Sequence, residues 1–318
     1  RLLQRISDKA QNRKELLQTI GNTRIFVGTL ASIAGKPELF DLKHFSVAII
    51  DEASQILEPQ IIGLLPQFDK FIMIGDHKQL STITLQNENK STVDDSSLNS
   101  IGLFDCRESL FERLFRICEK NHWTQAYDTL VYHGRMHEEI ATLVNQHFYD
   151  NRLISATNRQ RESLGFYSFD ENDVYQNLIT KKRVTFIPVR ESDKANVSDK
   201  MNGAEADMVV SLAKALLDVY RINDMNFDTQ KTLGIITPYR NQVALIKQRL
   251  EETKMPEFRD IMVDTVERYQ GSQRDVIIVS FCFNQPYQLQ YFCNMNREKT
   301  VDRKLNVALT RAREQLFL

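Results

Sequence analysis

The chain has 318 residues, a hydrophobic share of 42% and a formal net charge of −1. This length favours two domains, and the composition is ordinary for a globular protein that buries a core. No apolar run approaches the roughly 20 residues that cross a bilayer. The near-neutral charge gives no strongly basic footprint of nucleic-acid binding, although a few cations in a groove can still hold a strand.

The cysteines and the start of the chain bear on the compartment. Cys106, Cys118, Cys282 and Cys293 lack paired CxxC spacing, which predicts free thiols in a reducing compartment. The first residues lack the apolar core of a signal peptide, so we expect a cytoplasmic or nuclear protein, not a secreted one. The chain begins with an arginine, so we expect it to be part of a longer protein.

Hydrophobic periodicity predicts alternating helices and strands. The expected helices are 1–20, Ser109–Lys120, His137–Phe148, Ala204–Tyr220 and Tyr239–Glu252. The expected strands are Arg24–Leu30, Phe45–Ile50, Phe71–Ile74, Tyr127–Tyr132, Arg183–Val189, Thr232–Ile236, Asp260–Val263 and Val276–Phe281. Polar composition predicts loops at Gln86–Ser100 and Glu191–Lys200. This alternation predicts an α/β fold with mostly parallel sheets and helices on both faces.

Two adjacent acids, Asp51 and Glu52, follow the apolar run Phe45–Ile50. The run predicts a buried parallel strand that brings both acids to the carboxyl edge of a sheet, where ligands bind in open α/β folds. In nucleotide hydrolases, the first acid of such a pair holds Mg²⁺ and the second can polarise the attacking water. The alternative is a strand followed by an acidic helix N-terminus.

Six sequence blocks follow one another along the chain: Asp51–Gln55, Gly75–Leu80, Gly134–Ile140, Thr237–Gln242, Asp264–Gly271 and Asn306–Arg313. In this order, they resemble the superfamily 1 helicases of the Upf-like branch. The resemblance implies two RecA-like P-loop NTPase lobes, a partial first lobe at 1–122 and a second at 123–318. It also implies an ATP-dependent helicase or translocase that moves 5′ to 3′ on single-stranded DNA or RNA.

The resemblance assigns the catalytic roles with ATP and Mg²⁺ as cofactors. Asp51 would hold the metal and Glu52 would act as the general base. Gln79 would sense the γ-phosphate and the water, which suits an amide that both donates and accepts. Arg135 and Arg311, from the second lobe, would stabilise charge on the transferring phosphoryl group once the lobes close on ATP.

The resemblance also implies two sets of binding residues. The nucleotide set is Gly75, Asp76, Gln270, Gly271, Gln273 and Arg313, and Arg313 has a structural role as its alternative. The nucleic-acid set is Thr29, Pro238, Tyr239 and Thr265. Hydroxyls and main-chain amides at strand ends suit phosphate contacts that position a strand without reading its sequence. For Tyr239, packing in the core is an equal alternative.

The chain departs from the family pattern in its nucleotide site. It contains no GxxxxGK[ST] phosphate loop, because Gly35-Lys36 is followed by Pro37. The family carries this loop upstream, so we expect the isolated chain to hydrolyse ATP poorly and the parent protein to hydrolyse it well. Relatives often place Tyr at the position of Gly134 and Glu at that of Gln273. These departures predict loose selectivity for the nucleotide base.

Two other functions stay open. One is a non-catalytic module that binds nucleic acid or another protein through an incomplete ATPase site. The presence of Asp51, Glu52, Gln79, Arg135 and Arg311 argues against it. The other is a helicase lobe fused to a nuclease that would lie outside this segment. His133 and His137 have a spacing that could hold a metal on a helix, but the intervening Gly134 and the missing HExxH pattern argue against this role.

Overall fold

The computed structural model describes residues 13–82, 88–189, 198–283, 285–296 and 299–318. The chain divides into two compact units, the first of Arg1–His77 with Ser81–Tyr127 and the second of Lys78–Leu80 with Asp128–Leu318. The short segment Lys78–Leu80 thus belongs with the later residues. The boundary expected between residues 122 and 123 stays a prediction about the lobes of the family.

The first unit consists of short helices and one small parallel sheet. Its described helices are α1 (residues 13–22), α2 (Leu30–Ala34), α3 (Glu38–Leu42), α4 (Glu58–Ile61), α5 (Glu88–Ser91), α6 (Ser96–Ser100) and α7 (Leu110–Lys120). Its described strands are β1 (Phe45–Ile50) and β2 (Phe68–Met73), which pair in parallel with Ile50 opposite Met73. Both strands were predicted, although β2 begins earlier than its apolar run. A buried cluster of Ile61, Leu65 and Leu110 packs beneath the sheet's end with Ile50 and Met73.

The burial predicted for Phe45–Ile50 is wrong. Ala48 is the buried residue of β1, and Ile49 is 68% exposed. A parallel strand is normally covered on both faces by helices and flanked by other strands. The sheet described in this unit has only two strands, and Val47 and Ile49 of β1 are exposed.

The strand predicted at Arg24–Leu30 is also wrong, because residues 23–29 are neither helical nor extended in a sheet. Ile25 and Val27 are 80% and 94% exposed, so these β-branched residues pack on no sheet in the part of the chain that the structure describes. The helix predicted over 1–20 is observed from residue 13, and residues 1–12 lie outside the described residues. The loop predicted at Gln86–Ser100 contains α5 and α6, and its residues 86 and 87 lie outside the description.

The second unit is a larger α/β domain. Its described helices are α8 (Glu138–Phe148), α9 (Val174–Lys181), α10 (Gly203–Ile222), α11 (Arg240–Glu252), α12 (Val266–Tyr269), α13 (Gln288–Phe292) and α14 (Arg303–Leu309). Its described strands are β3 (Tyr132–His133), β4 (Ile154–Ser155), β5 (Val184–Thr185), β6 (Leu233–Ile236), β7 (Met262–Asp264), β8 (Arg274–Val279) and β9 (Ala312–Phe317). The main sheet has the order β5-β9-β8-β6-β7, and its pairs are parallel. The predicted α/β fold class is confirmed.

Helices cover both faces of this sheet. Val276 and Ile278 of β8 pack on one face with α9, α10 and α11. Ile277 and Val279 point to the other face and pack with α8, α12 and α14. This alternation explains why β6 and β8 are almost continuous apolar runs, since both of their faces are buried.

The shorter strands of the second unit differ most from prediction. The run Tyr127–Tyr132 forms only the short strand β3, and Arg183–Val189 forms only β5. The loop predicted at Glu191–Lys200 is described from residue 198, where a turn leads into α10. Among the described helices, none combines the length and apolar character that crossing a membrane demands.

Candidate functional site

The two acids of the first unit lie directly after β1. Both side chains are exposed. The Glu52 amide donates to Asp51 Oδ1 at 2.9 Å, and Gln55 Nε2 donates to Glu52 Oε2 at 2.7 Å. Glu52 adopts a left-handed backbone with φ 52°, which is unfavourable for a residue with a Cβ and is held where surrounding contacts fix the chain. The turn therefore fixes the two carboxylates side by side at the strand end.

Gly75 and Asp76 support this turn from β2. Main-chain pairing continues past the strands, with Ile74 donating to Ile50 and Ala53 donating to Ile74, both at 2.8 Å. A Cβ on Gly75 would lie 2.9 Å from the Ser54 amide nitrogen, so only glycine allows this approach. The Asp76 amide donates to Ser54 Oγ at 3.4 Å. Gly75 thus has a structural role here beside the nucleotide role that the sequence predicts.

The acid pair fits Mg²⁺ better than it fits a metal held entirely by protein. The described residues contain no group of three His, Cys, Asp or Glu side chains that could surround a metal ion. Mg²⁺ is usually bound through one or two carboxylates, with water and phosphate oxygens completing its shell. The exposed Asp51 carboxylate at a strand end suits that kind of site.

Arg135 of the second unit lies at the amino ends of β8 and β9. Its Nε donates to Gln273 Oε1 at 2.9 Å, and its Nη1 donates to the Thr310 carbonyl at 3.2 Å. Gln273 immediately precedes β8, and Thr310 comes shortly before β9. The structure therefore brings together two residues that the sequence assigned to separate roles, Arg135 and Gln273.

Arg311 is buried, with 2% of its surface exposed. Its Nε donates to the Val307 carbonyl at 3.1 Å, and its Nη2 donates to Thr310 Oγ1 at 2.9 Å and Gln79 Oε1 at 3.4 Å. A buried cation is costly unless its donors are used. Here the carbonyl end of α14 supplies an acceptor and a favourable dipole. Gln79 and Arg311, both predicted to be catalytic, are thus in contact within the second unit.

Arg313 has a different environment. Its Nη1 lies 3.1 Å from Asp275 Oδ1 on the adjacent strand β8. Burial raises the pKa of Asp275, and the positive charge of Arg313 opposes that shift. This ion pair supports the structural alternative that the sequence left open for Arg313.

Gln270 and Gly271 form the turn before β8. Gln270 Nε2 donates to the Leu80 carbonyl at 3.3 Å, so the turn contacts the segment that carries Gln79. Gly271 has φ 80°, a left-handed conformation that favours glycine. A Cβ there would meet no atom within 4 Å, so the backbone conformation, not space, requires glycine.

The predicted nucleic-acid residues of the second unit lie at the opposite, carboxyl edge of the sheet. Pro238 and Tyr239 follow β6 and Thr265 follows β7, and the Thr237 amide donates to the Asp264 carbonyl at 3.2 Å. Tyr239 is half-buried, its hydroxyl accepts a hydrogen bond from Gln288 Nε2 at 3.4 Å, and burial raises its pKa. The site residues of this unit therefore form two groups on opposite edges.

Thr29 of the first unit does not end a strand. It is exposed and caps α2, where its Oγ1 accepts a hydrogen bond from the Ser32 amide at 3.2 Å. Thr is a good N-cap because its hydroxyl accepts from a main-chain amide of the first turn. Thr29 was expected at the end of a strand, but it lies at the start of a helix. Its contact with nucleic acid stays a prediction.

Sequence reasoning missed a buried network that holds the carboxyl edge. Glu205 Oε2 accepts from Ser280 Oγ at 2.7 Å and from the Cys282 amide at 2.9 Å. Gln242 Nε2 donates to Ser280 Oγ at 3.2 Å and to the Asn202 carbonyl at 3.0 Å. Asn202 just before an apolar helix was a visible cap signal, but no sequence pattern linked it to Gln242 forty residues later.

The comparison with protein families decides the relationship. An AAA domain model matches residues 106–318, and a second AAA domain model matches residues 1–87. The chain belongs to the AAA domain family of Upf-like helicases.

Curated members of this helicase family are similar along nearly the whole chain. A Bos taurus protein named "DNA replication ATP-dependent helicase/nuclease DNA2" is 29% identical, with 95% of this chain and 27% of that protein covered. An uncharacterized ATP-dependent helicase of Methanocaldococcus jannaschii is 30% identical, with 99% and 41% covered. The "DNA polymerase alpha-associated DNA helicase A" of Saccharomyces cerevisiae is 26% identical, with 98% and 44% covered. The chain thus spans between about a quarter and less than half of these relatives.

Among solved structures, the helicase of PRRSV is similar, with 14% sequence identity and a TM-score of 0.36. The match covers 85% of this chain and 33% of that one. The family assignment therefore depends on the two AAA domain models and not on this structural similarity.

The loose base selectivity predicted from Gly134 and Gln273 stays a prediction. Gly134 is exposed, and a Cβ there would meet nothing within 4 Å, so the backbone leaves room for a larger side chain. Gln273 is exposed and its side-chain oxygen accepts from Arg135. Gln273 therefore has a protein partner that the sequence did not suggest.

Proposed function

We propose that this chain is part of an ATP-dependent motor, a helicase or translocase that moves on single-stranded nucleic acid. The observation that carries the proposal is the contact of Arg311 with Gln79 within the second unit. The first unit separately holds the carboxylate pair of Asp51 and Glu52. Side chains of these kinds act in phosphoryl transfer, and the chain belongs to a family of ATP-dependent helicases.

We assign the roles as follows. Asp51 holds Mg²⁺, which when bound supplies positive charge to the phosphates. Glu52 accepts a proton from the attacking water. Gln79 orients that water through its amide, and Arg311 holds the Gln79 oxygen. Arg135 and Arg311 stabilise the charge that develops on the phosphoryl group, and Arg311 does so without reorganising because its guanidinium is already held.

The proposed partner is a single strand of DNA or RNA, bound at the carboxyl edge that carries Pro238, Tyr239 and Thr265. Contacts from hydroxyls and main-chain amides favour phosphate binding without sequence preference. The directionality proposed from the family is 5′ to 3′. Free cysteines support action in a reducing compartment, the cytoplasm or the nucleus.

The test is ATP hydrolysis by the full-length natural protein, with and without oligo-dT or oligo-U, for the wild type, Asp51→Ala and Glu52→Gln. We expect strand-stimulated hydrolysis in the wild type and a loss of roughly 1,000-fold or more in both variants, on the scale of losing a central catalytic group. The surface variant Glu252→Gln serves as the matched carboxylate control and should keep wild-type turnover.

If the Glu52→Gln variant still hydrolyses ATP at the wild-type rate, Glu52 is not the general base. Wild-type protein that binds a strand but never hydrolyses ATP would support the alternative of a non-catalytic binding module. A difference between oligo-dT and oligo-U in the stimulated rate would identify which nucleic acid is preferred.

A further inference from the structure

The chain makes an unusually short crossing between β7 and β8. Strand β6 lies between them in the sheet, so residues 265–273 pass across β6 before β8 begins. Parallel connections usually take a dozen or more residues and a longer helix. Here the only helix is α12, Val266–Tyr269, and this brevity forces the crossing close to the strand beneath it.

Gly234 of β6 is where the crossing comes nearest to the strand. A Cβ at this position would lie 2.6 Å from the Tyr269 hydroxyl oxygen and 2.8 Å from Arg274 Cγ. Glycine inside a strand weakens it and often marks a close approach by another group. The approaching group here is the phenol of Tyr269.

The Tyr269 hydroxyl joins two strands within the core. It accepts a hydrogen bond from the Ile235 amide of β6 at 3.0 Å, and it donates to the Met262 carbonyl of β7. Tyr269 is completely buried, and burial raises the pKa of its phenol, so the hydroxyl keeps its proton as a donor. Removing the oxygen would leave the buried Ile235 amide and the part-buried Met262 carbonyl without this partner, which is costly.

The main chain of Tyr269 connects the two edges of the sheet. Its amide donates to the Thr265 carbonyl at 3.2 Å, on the carboxyl edge. Its carbonyl accepts from both the amide and the Oγ of Ser272 at 2.9 Å. The next residue is Gln273, which accepts from Arg135 on the amino edge.

We propose that Tyr269 is a positioning residue that couples strand binding at Thr265 to the orientation of Arg135, through Ser272 and Gln273. The proposal rests on the proposed function, because it requires a strand at one edge and phosphate chemistry at the other. Tyr269 acts only through its neighbours, since its side chain is buried and its hydroxyl is used by β6 and β7. Coupling of this kind is a difference in free energy between two sites.

The first experiment measures amide hydrogen exchange over residues 270–273 in this 318-residue chain. We compare the wild type with Tyr269→Phe, and with Tyr220→Phe as the matched control. Tyr220 is also a buried tyrosine of the second unit, but its ring packs against Phe166 and Phe227 in the cluster on the other face of the sheet from Tyr269. We expect exchange at 270–273 to accelerate roughly tenfold in Tyr269→Phe, as fits the loss of a buried hydrogen-bond pair, and to stay unchanged in Tyr220→Phe.

The second experiment measures ATP hydrolysis by the full-length natural protein with and without oligo-dT. In Tyr269→Phe, the ratio of stimulated to unstimulated turnover should fall roughly tenfold. Tyr220→Phe should keep the wild-type ratio. Ser272→Ala keeps the tyrosine and removes one of the two Ser272 contacts, so it should lower the ratio in the same direction by a smaller factor; it also serves if Tyr269→Phe folds poorly.

The two experiments separate failure of this proposal from failure of the proposed function. Unchanged exchange at 270–273 in Tyr269→Phe overturns the anchoring role, whatever the enzyme does. Faster exchange with an unchanged stimulation ratio overturns the coupling. Wild-type protein without strand-stimulated turnover refutes the motor and the coupling together, and the exchange result still decides whether Tyr269 anchors the crossing.

Discussion

Both ring nitrogens of His137 form hydrogen bonds. Its Nε2 hydrogen-bonds to the Glu162 carbonyl at 3.1 Å, and its Nδ1 accepts from the Glu139 amide at 3.2 Å, which caps α8. A neutral imidazole can do both, because one nitrogen donates while the other accepts. Burial lowers the pKa of His137, and the charge of Arg183 lowers it further, while Glu139 and Glu314 oppose this. The fold therefore favours the neutral ring.

Stability should consequently depend on pH in the acidic range. The folded pKa of His137 lies below the ordinary value of 6.5, so the unfolded chain binds the proton more readily. The contribution of His137 is complete above pH 6.5 and is lost as the pH falls through the folded pKa. We expect the melting temperature of the chain to fall between pH 7 and pH 5, with about 1.4 kcal/mol at stake for each unit of pKa shift.

His137→Asn is the matched variant, because asparagine also caps a helix but does not titrate in this range. It should show a shallower fall in melting temperature between pH 7 and pH 5. The melting temperature of the variant should still fall to some extent between pH 7 and pH 5, because burial and the charge of Arg135 also lower the pKa of His133. Identical slopes for wild type and variant would contradict the role given to His137.

At the scale of elements, a buried ion pair joins α4 to α7 in the first unit. Arg113 Nε donates to Glu58 Oε2 at 2.7 Å, its Nη2 lies 2.5 Å from Glu58 Oε1, and its Nη1 donates to the Ile101 carbonyl at 2.8 Å. Glu58 and Arg113 are both buried, with less than 10% of the surface of each residue exposed. Because α4 follows the acid turn within a few residues, this pair fixes the support beneath Asp51 and Glu52.

Glu58→Ala should destabilise the first unit strongly. The change leaves the Arg113 cation buried without its carboxylate, a loss of roughly 3–5 kcal/mol in comparable cases. The measurement is urea unfolding followed by the fluorescence of Trp123, the one tryptophan of the chain, which lies in the first unit. Glu252→Gln, which breaks the exposed pair with Arg249 on α11, should leave the transition unchanged. Equal transitions for Glu58→Ala and wild type would contradict this account.

The long elements were predictable, and the short ones were not. Helices α8, α10 and α11 and strands β6 and β8 carry apolar patterns that reflect burial, so the sequence located them within a few residues. The run at Arg24–Leu30 has the composition of a strand, but Thr29 starts a helix and none of the described strands pairs with the run. Local composition cannot supply the partner that a strand needs.

The candidate site divides in the same way. The sequence located Asp51 and Glu52 at a strand end because an apolar run ends there. It could not reveal the contact between Arg135 and Gln273, which lie 138 residues apart. Nor could it reveal the Tyr269 hydroxyl between β6 and β7, because that contact depends on the order of strands in the sheet.

At the scale of the whole molecule, the two units differ in how much they bury. The described sheet of the first unit has two strands and exposes Ile49, Phe71 and Ile72. The main sheet of the second unit has five strands with helices on both faces. A two-stranded sheet alone is marginally stable, whereas a covered sheet of this size has its own core.

The units should therefore unfold separately in this chain. Trp123 fluorescence, which reports the first unit, should change at lower urea than far-UV circular dichroism, to which the helices of the second unit contribute most. Amide exchange should likewise be faster in β1 than in β8, because exposed elements open locally at lower free energy. Coincident transitions by both probes would show instead that the chain unfolds as one cooperative body.

The missing side chain at Gly234 has a consequence for how such sequences can change over time. The hydrogen of Gly234 and the oxygen of Tyr269 occupy space that only one larger group can fill. Alanine can replace Gly234 only after Tyr269 has been replaced by a residue without the phenol oxygen. Conversely, tyrosine can appear at position 269 only where position 234 is already glycine. Across relatives, the residues at positions 234 and 269 should therefore vary together, because a larger side chain at one position excludes the phenol oxygen at the other.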